Sequence, residues 1–414
     1  MSIRNIYIFN YLQRIINALG GVSVIFLISM LYSLPDSDKF YSVFSLLGLI
    51  AFYEFGYATL IVQRISYYSI DENAGKIGTA SDIKHYGNII TLFSLLVLLS
   101  FPFISNLFVD NVSIEFLALL GLLLAINLKF TMSINILEGL GYLEKVAKIR
   151  LVQAVVSYIS MIIFLLLGFG YESVAYQLLI QILVIAPLYF YLSDKLGLLS
   201  LFLPRNIFKW PDMNIIIRDL KYSYQLYLTS ISTIFSNQIW VLALSAIGIS
   251  NLSKYAISFQ IIAACAGFSL TPIASRLSHL AKTMHLGDNE ANKRLIKKIL
   301  KDIVIVTIVS MVGLLTIYLY AHNYYQERVL NFHAALTMIL SLPIIILVNV
   351  IGFIVQSKGK RDMLVVSLVK IIVPLGMFFM LDKNAQELTI SAYYLSFNII
   401  SFFIAIVYFF KEYK

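Results

Sequence analysis

Six charged side chains lie inside or at the edges of long apolar stretches, where an ion is costly to bury. They are one glutamate, two lysines and three arginines: Glu54, Lys129, Lys370, Arg14, Arg64 and Arg276. An ionisable group inside a membrane-spanning helix costs at least a few kcal/mol and marks a candidate ion or substrate path. A carboxylate can take up a proton or a sodium ion, whereas lysine and arginine bind phosphate oxygens. The pattern predicts ion coupling at Glu54 and, at the five cations, recognition of an anionic substrate that bears phosphate.

Each of these six residues also has a structural interpretation. Glu54 lies midway along its apolar stretch, and a static ion pair with an arginine such as Arg14 is the alternative to ion coupling. Lys129 and Lys370 lie about 10–12 Å from the inner ends of their stretches at 1.5 Å per residue, and a lysine stem extends over much of that distance. Snorkelling to the inner headgroups is therefore the alternative for both lysines, and the three arginines lie closer still to that surface.

Twelve apolar stretches set the positions of these residues. The chain of 414 residues is 60% hydrophobic and 13% charged, with a mean hydropathy of +0.85, whereas a soluble domain is about 25% charged. The stretches have the length of spanning helices and lack the alternation of barrel strands. They cover residues 12–34, 41–66, 84–108, 113–137, 146–168, 172–193, 221–247, 253–275, 300–322, 331–356, 363–381 and 390–410. We predict an all-α integral membrane protein with twelve transmembrane helices.

The basic residues alternate between the connections of these helices. Of the 31 lysines and arginines, the connections that we assign to the outside contain only Lys39, Lys254, Arg328 and Lys383. This positive-inside pattern predicts that both termini lie in the cytoplasm. It also accounts for the net charge of +9, so we expect no nucleic-acid partner and instead expect contact with anionic membrane lipids.

The predicted helices divide into two halves of six. Residues 1–195 form the predicted N-terminal bundle, 196–220 a cytoplasmic linker and 221–414 the C-terminal bundle. A weak internal repeat relates the halves, because Lys-Phe-Tyr at 39–41 opens the second helix and Ser-Lys-Tyr at 253–255 opens the eighth. Both repeats run in the same direction, so we predict pseudo-two-fold symmetry about the membrane normal and a substrate site in a central cavity.

Motifs of enzymes and of cofactor binding are missing from the sequence. It has no G-x-x-x-x-G-K-[ST] loop for ATP and no H-E-x-x-H zinc motif. The five histidines are scattered, and the single cysteine, Cys265, excludes an intrachain disulfide. We expect no enzymatic activity, no metal and no cofactor.

Several of these residues fall into motifs of one transporter family. The second predicted helix has an acidic residue and a glycine two positions apart, Glu54 and Gly56, flanked by Tyr41 and Arg64. The first helix adds Arg14, the eighth adds Pro272 and Arg276, and the turn 356–360 is a further match. In these features the chain resembles the polysaccharide flippases of the multidrug/oligosaccharidyl-lipid/polysaccharide exporter superfamily, over nearly its whole length.

The resemblance implies a substrate and a direction of transport. An oligosaccharide linked to undecaprenyl diphosphate, such as an O-antigen repeat unit of lipopolysaccharide, would move from the inner to the outer leaflet of the bacterial cytoplasmic membrane. The resemblance also implies a cationic central cavity and coupling to a proton or sodium gradient, and it leaves open other polysaccharide-assembly proteins as partners.

Two other classes of protein are alternatives. A drug or metabolite exporter of the same superfamily would favour acidic residues inside the membrane, whereas here one acid, Glu54, accompanies the buried lysines 129 and 370. A polysaccharide polymerase or O-antigen ligase would carry a large outer loop, and all the predicted outer loops are short.

Overall fold

The computed structural model is helical throughout the residues it describes. It describes residues 3–54, 75–109, 112–195, 238–249, 251–274, 289–357, 366–370 and 385–413, together with single residues or short groups between these ranges (56–58, 60–62, 65, 213–214, 216–217, 219–221, 224, 228, 276, 372 and 381). Within these residues no strand occurs. The predicted all-α class is confirmed.

The helices of the described residues are numbered in chain order. They are α1 (Ile3–Leu31), α2 (Leu34–Leu46), α3 (Ile50–Glu54), α4 (Gly75–Asn106), α5 (Ile114–Gly139), α6 (Leu143–Leu166), α7 (Ser173–Lys195), α8 (Trp240–Ile247), α9 (Leu252–Ser269), α10 (Thr271–Ala274), α11 (Asn289–Tyr324), α12 (Phe332–Ser357) and α13 (Glu387–Tyr413). Three-residue 3₁₀ turns cover Leu47–Leu49, Gly170–Glu172 and Gln326–Arg328.

Nine helical segments among the described residues are long and apolar enough to cross a membrane. They match nine of the predicted spans, so the chain is a multi-pass membrane protein. The predicted spans 221–247 and 363–381 fall largely outside the described residues. The remaining one, 41–66, differs from its prediction.

The second predicted span is not one continuous helix. Helix α2 ends at Leu46, a 3₁₀ turn follows, and α3 ends at Glu54. Gly56 then adopts φ +71°, a left-handed conformation that glycine reaches without steric cost. Hydrophobicity alone predicts the length of an apolar stretch but not a break within it. The break places Glu54 at the end of a short helix, midway along the predicted span.

The eighth span has a break at the equivalent position. Helix α9 ends at Ser269, Leu270 forms a turn, and α10 begins at Thr271. Proline at 272 lacks a backbone N–H and so cannot continue the hydrogen bonding of α9. Gly56 follows Tyr41 by the same number of residues as Leu270 follows Tyr255. Matched breaks are what the predicted internal repeat requires.

The chain forms two compact units. The first contains residues 1–16 and 42–231, and the second contains residues 17–41 and 232–414. Residues 17–41 thus pack with the second unit, although they belong to the first half in chain order. The predicted boundaries 1–195, 196–220 and 221–414 stay a prediction about the two functional halves.

Each unit has its own apolar core. In the first unit α4 packs along α5 and α6 along α7, and Ile134, Val146 and Tyr189 join α5, α6 and α7. In the second unit α12 packs along α13, and Val348 and Ala405 meet there in a small cluster. These clusters hold the helical segments that carry Lys129 and Lys370.

The close approach of α5 to the second span gives a test of the packing. A Cβ at Gly139 would lie 2.8 Å from Ile65 Cβ and 3.2 Å from the Val62 carbonyl oxygen. We expect Gly139→Ala to lower the free energy of unfolding by about 1–3 kcal/mol, because neither neighbour can rotate away. Thermal unfolding in detergent measures this effect.

Gly313→Ala in α11 is the matched control. A Cβ there would meet no atom within 4 Å, so alanine should leave stability unchanged or raise it by up to about 1 kcal/mol. Equal unfolding temperatures for the two variants would contradict the close packing at Gly139.

Candidate functional site

Glu54 lies at the break of the second span. It is the last residue of α3, and a tyrosine on either side of it along the chain contacts α4. Tyr53 hydrogen-bonds with the Ser100 hydroxyl of α4 at 2.8 Å, and the fully buried Tyr57 packs edge-on against Phe93 of α4. Glu54 therefore stands at a helix end within the predicted span, between two tyrosines that contact α4.

Glu54 has no ion-pair partner among the residues that the structure describes. Among the described residues no cation, Arg14 included, forms an ion pair with it. The C-terminal end of a helix carries a partial negative charge and exposes carbonyl oxygens. Carboxylate and carbonyl oxygens together make a site that favours a proton or a small cation. The static ion pair with Arg14 is not formed.

Lys370 is the most deeply buried candidate cation. It lies in a described helical stretch at 366–370 and is 8% exposed. Val366, one turn earlier, packs against α12 and α13 through Val348, Val355 and Ala405. Among the described residues no carboxylate pairs with Lys370. A buried ammonium without a carboxylate partner is the arrangement that an anionic ligand would stabilise.

Lys129 lies in the C-terminal half of α5 and is half-buried. No described acid forms an ion pair with it either. Asn127, two residues earlier, instead accepts a hydrogen bond from Gln181 of α7 at 3.2 Å, and Gln181 accepts one from Gln177. This amide ladder joins α5 to α7, so Asn127 acts as a link between helices rather than as a ligand.

The arginines have different surroundings. Arg276 donates to Asp302 of α11 at 2.6 Å in a pair that is about a third exposed, so its charge is already balanced. Arg14 is half-buried and has interactions of its own, and Arg64 lies outside the described residues. In the first unit no hydrogen bond or ion pair joins Arg14, Glu54 and Lys129, and in the second none joins Arg276 and Lys370.

Trp240 is part of the protein core. It is 1% exposed and packs against Phe259 of α9 and against Tyr394 and Phe397 of α13, with ring centroids 5.4–5.9 Å apart. Because three aromatic rings enclose the indole, it has no free face on which a sugar of a bound substrate could stack.

A cluster of charged residues near the starts of α2, α9, α12 and α13, on the side that the charge pattern predicts to be outside, was not predicted. Arg328 donates to the Tyr32 carbonyl at 2.6 Å and to the Ser37 hydroxyl at 3.1 Å, and Asp38 accepts from the Ser253 amide at 2.7 Å. Glu387 pairs with Lys254 at 3.2 Å and accepts from the Asn331 amide at 2.7 Å. We call these residues the outer cluster: Tyr32, Ser37, Asp38, Ser253, Lys254, Arg328, Asn331 and Glu387.

The outer cluster lies wholly in the second unit and fastens the turn between α1 and α2 to the starts of α9, α12 and α13. The sequence contained a signal for it. Two of the few outer cations, Lys254 and Arg328, are in the cluster, and the acids Asp38 and Glu387 are near the outer ends of their helices. Their pairing across the chain could not be read from spacing, because the partners are distant in sequence.

Comparison with known proteins identifies the fold. No protein-family model matches the chain, and no curated protein matches it in sequence. Among solved structures, an outward-facing multidrug resistance MATE family transporter of the MOP superfamily is 14% identical, with a TM-score of 0.65 over 99% of this chain and 94% of that one. The inward closed lipid II flippase MurJ is 17% identical, with a TM-score of 0.60 over 97% of this chain and 86% of that one.

A third similar structure is a MOP superfamily transporter from Pyrococcus furiosus Vc1, described by the reverse polarity of its binding pocket. It is 15% identical, with a TM-score of 0.60 over 99% of this chain and 95% of that one. The chain therefore has the fold shared by MATE transporters and the MurJ flippase.

The contrast between Lys370 and Arg276 gives a stability test. We expect Lys370→Met to raise the free energy of unfolding by roughly 2–3 kcal/mol, because it removes a buried charge that has no carboxylate partner. We expect Arg276→Met to lower it by at most about 1 kcal/mol, because the Asp302 pair is a third exposed. Unfolding of both variants in the same detergent measures the two effects. A loss of stability in Lys370→Met larger than that in Arg276→Met would mean that a structural partner holds the ammonium.

Proposed function

We propose that the chain is a flippase that moves an undecaprenyl-diphosphate-linked oligosaccharide, an O-antigen or related repeat unit, from the inner to the outer leaflet by alternating access. The observation that carries the proposal is Lys370, 8% exposed and without a carboxylate partner among the described residues. A cation at that depth is costly unless a bound anion compensates it for part of the transport cycle. The diphosphate of the proposed substrate supplies the compensating negative charge.

The other cations contribute to binding in this proposal. Lys129 is half-buried and makes no ion pair with any described acid, so it can contact the same class of head group. Arg14 and Arg64 lie toward the inner ends of their helices, where a head group arriving from the cytoplasmic side would first meet charge. Arg276 can bind a phosphate while it is paired with Asp302, because arginine has five N–H donors and Asp302 accepts from only one terminal nitrogen.

Coupling to a cation gradient is assigned to Glu54. Entry of a proton or sodium ion at the end of α3 neutralises the carboxylate and changes the charge beside the break at Gly56. Breaks in the middle of spanning helices are where secondary transporters bind ions and bend. We infer that ion binding at Glu54 biases the second span between two arrangements.

The fold supports a transporter and fits the proposed substrate. MATE transporters and the lipid II flippase MurJ share it, and the Pyrococcus furiosus transporter was distinguished by the polarity of its pocket. The charge of the pocket would therefore determine which substrate a transporter of this fold carries. Lysines without an ion pair among the described residues favour an anionic substrate. We place the protein in the bacterial inner membrane with both termini cytoplasmic, and expect no cofactor, no enzymatic activity and other polysaccharide-assembly proteins as candidate partners.

A cation-coupled exporter of drugs or metabolites is the second candidate. The similarity to a multidrug resistance transporter and the unpaired Glu54 favour it, because a carboxylate attracts cationic compounds. Binding by the purified protein separates the two: a lipid-linked diphosphate should bind in preference to a cationic drug if the flippase proposal holds.

Glu54→Gln tests the coupling step. The amide keeps the shape of the side chain but cannot bind a proton or hold a negative charge, so gradient-driven translocation of a lipid-linked saccharide in proteoliposomes should fall to the protein-free background. Glu172→Gln in the outer turn before α7 is the control and should retain full activity. Full surface polysaccharide in cells that carry only Glu54→Gln would remove Glu54 from the mechanism.

The double variant Lys129→Met and Lys370→Met tests substrate binding. Loss of charge-assisted hydrogen bonds to phosphate costs about 1.5–3 kcal/mol, so affinity for the lipid-linked diphosphate should fall by about tenfold or more. Lys148→Met is the control, because Lys148 is 55% exposed and pairs with Glu144 within α6. Unchanged affinity in the double variant would assign both lysines to snorkelling.

A further inference from the structure

A cavity of about 400 Å³ lies within the second unit between α1, α9, α11 and α12. Its walls come from the C-terminal parts of α1 and α11 and the N-terminal parts of α9 and α12, which the charge pattern assigns to the outer side of the membrane. Nearly all of its lining atoms are apolar. The cavity therefore lies at the predicted depth of the outer leaflet, and none of the described candidate cations Arg14, Lys129, Arg276 and Lys370 lines it.

The serine and threonine hydroxyls in the lining donate to carbonyl groups of their own helices, and the Tyr318 hydroxyl donates to the Leu330 carbonyl. Ser29 donates to the Ile25 carbonyl, Ser258 to the Lys254 carbonyl and Thr316 to the Val312 carbonyl, each at 2.9 Å. The walls thus present almost no polar group to the interior. Water needs two to four polar partners to stay in a cavity, so a hydrocarbon chain is the favoured occupant.

Arg328 stands at the outer rim of this cavity. Its two terminal nitrogens each donate one hydrogen bond, to Tyr32 and to Ser37, so two of the five N–H donors of an arginine are used among the described residues. The carboxylate of Asp38 lies nearby and offsets part of the charge, while accepting the Ser253 amide. An arginine held in place with unused donors is suited to a phosphate oxygen.

We infer that this cavity, the outer groove, binds the isoprenoid tail of the lipid-linked saccharide after its head group has reached the outer leaflet, with Arg328 contacting a phosphate. The inference rests on the proposed function and names a second site for the same substrate. The volume of the outer groove is within the range of about 300–1,000 Å³ that is usual for ligand pockets. This is enough for the part of the tail next to the head group. Met30 and Met338 line it, and flexible thioethers adapt to methyl-branched chains.

Photocrosslinking of the full chain in nanodiscs tests the outer groove. The probe is undecaprenyl phosphate with a photoreactive group on the tail, and mass spectrometry maps the crosslinks. We expect wild-type crosslinks on the 314–325 segment of α11, reduced about tenfold or more when Thr316→Trp fills the groove, which corresponds to a loss of one decade in affinity. Ser258→Trp, from the wall formed by α9, should have the same effect.

Val309→Trp is the matched control, because Val309 is on the same helix, 62% exposed and outside the groove lining. It should retain wild-type crosslinking, and thermal unfolding checks that all three variants are folded. Excess phosphatidylglycerol should not reduce crosslinking of the probe. Equal competition by phosphatidylglycerol, or unchanged crosslinking in both groove variants, overturns the inference.

Translocation assays separate this inference from the proposed function. If wild-type protein translocates a lipid-linked saccharide and its 314–325 segment does not crosslink, the groove inference fails and the function stands. If the segment crosslinks to the prenyl probe but no lipid-linked saccharide is translocated, the flippase proposal fails and the groove remains a prenyl-lipid site.

Discussion

The cost of placing a charge in the bilayer is the constraint on which the structure depends. Where a charge serves the fold, the chain supplies a partner: Glu138 near the end of α5 pairs with Arg150 of α6, and Asp302 pairs with Arg276. Lys370 and Glu54 have no such partner among the described residues. Because an unpaired ion inside a membrane destabilises the protein, a function that uses the charge explains why the cost is tolerated.

The two charges stand in different surroundings, and this difference matches their proposed roles. Lys370 lies in the described helical stretch 366–370, whose Val366 packs against α12 and α13, and this packing holds the ammonium in place for an anion. Glu54 lies at a helix end beside Gly56, where the backbone can change direction. A binding charge on a rigid element and a coupling charge at a break fit a cycle in which ion entry changes the conformation around a bound substrate.

Composition and charge pattern were sufficient to predict the all-α class, nine of the spans and the positions of the unpaired charges, because each depends on local hydropathy. The break after Glu54 was beyond such reasoning, since an apolar stretch that contains glycine has the same hydropathy whether its helix is continuous or broken. Asp302 as the partner of Arg276, and the links that join Arg328 to Tyr32 and Ser37, were also missed, because pairing between distant segments depends on the tertiary fold. The same holds for the outer groove, which four helices form only after packing.

The most direct measurement of the central claim is the distance between the Lys370 ammonium and substrate phosphorus in lipid bilayers. Solid-state NMR of protein labelled with ¹⁵N at lysine Nζ, with the Lys370 signal assigned by its loss in Lys370→Arg, reports this distance through the coupling to ³¹P of a bound lipid-linked diphosphate. The account predicts a coupling that corresponds to about 4 Å or less, the range of a charge-assisted hydrogen bond to phosphate. Saturating substrate without any coupling to Lys370 would contradict it.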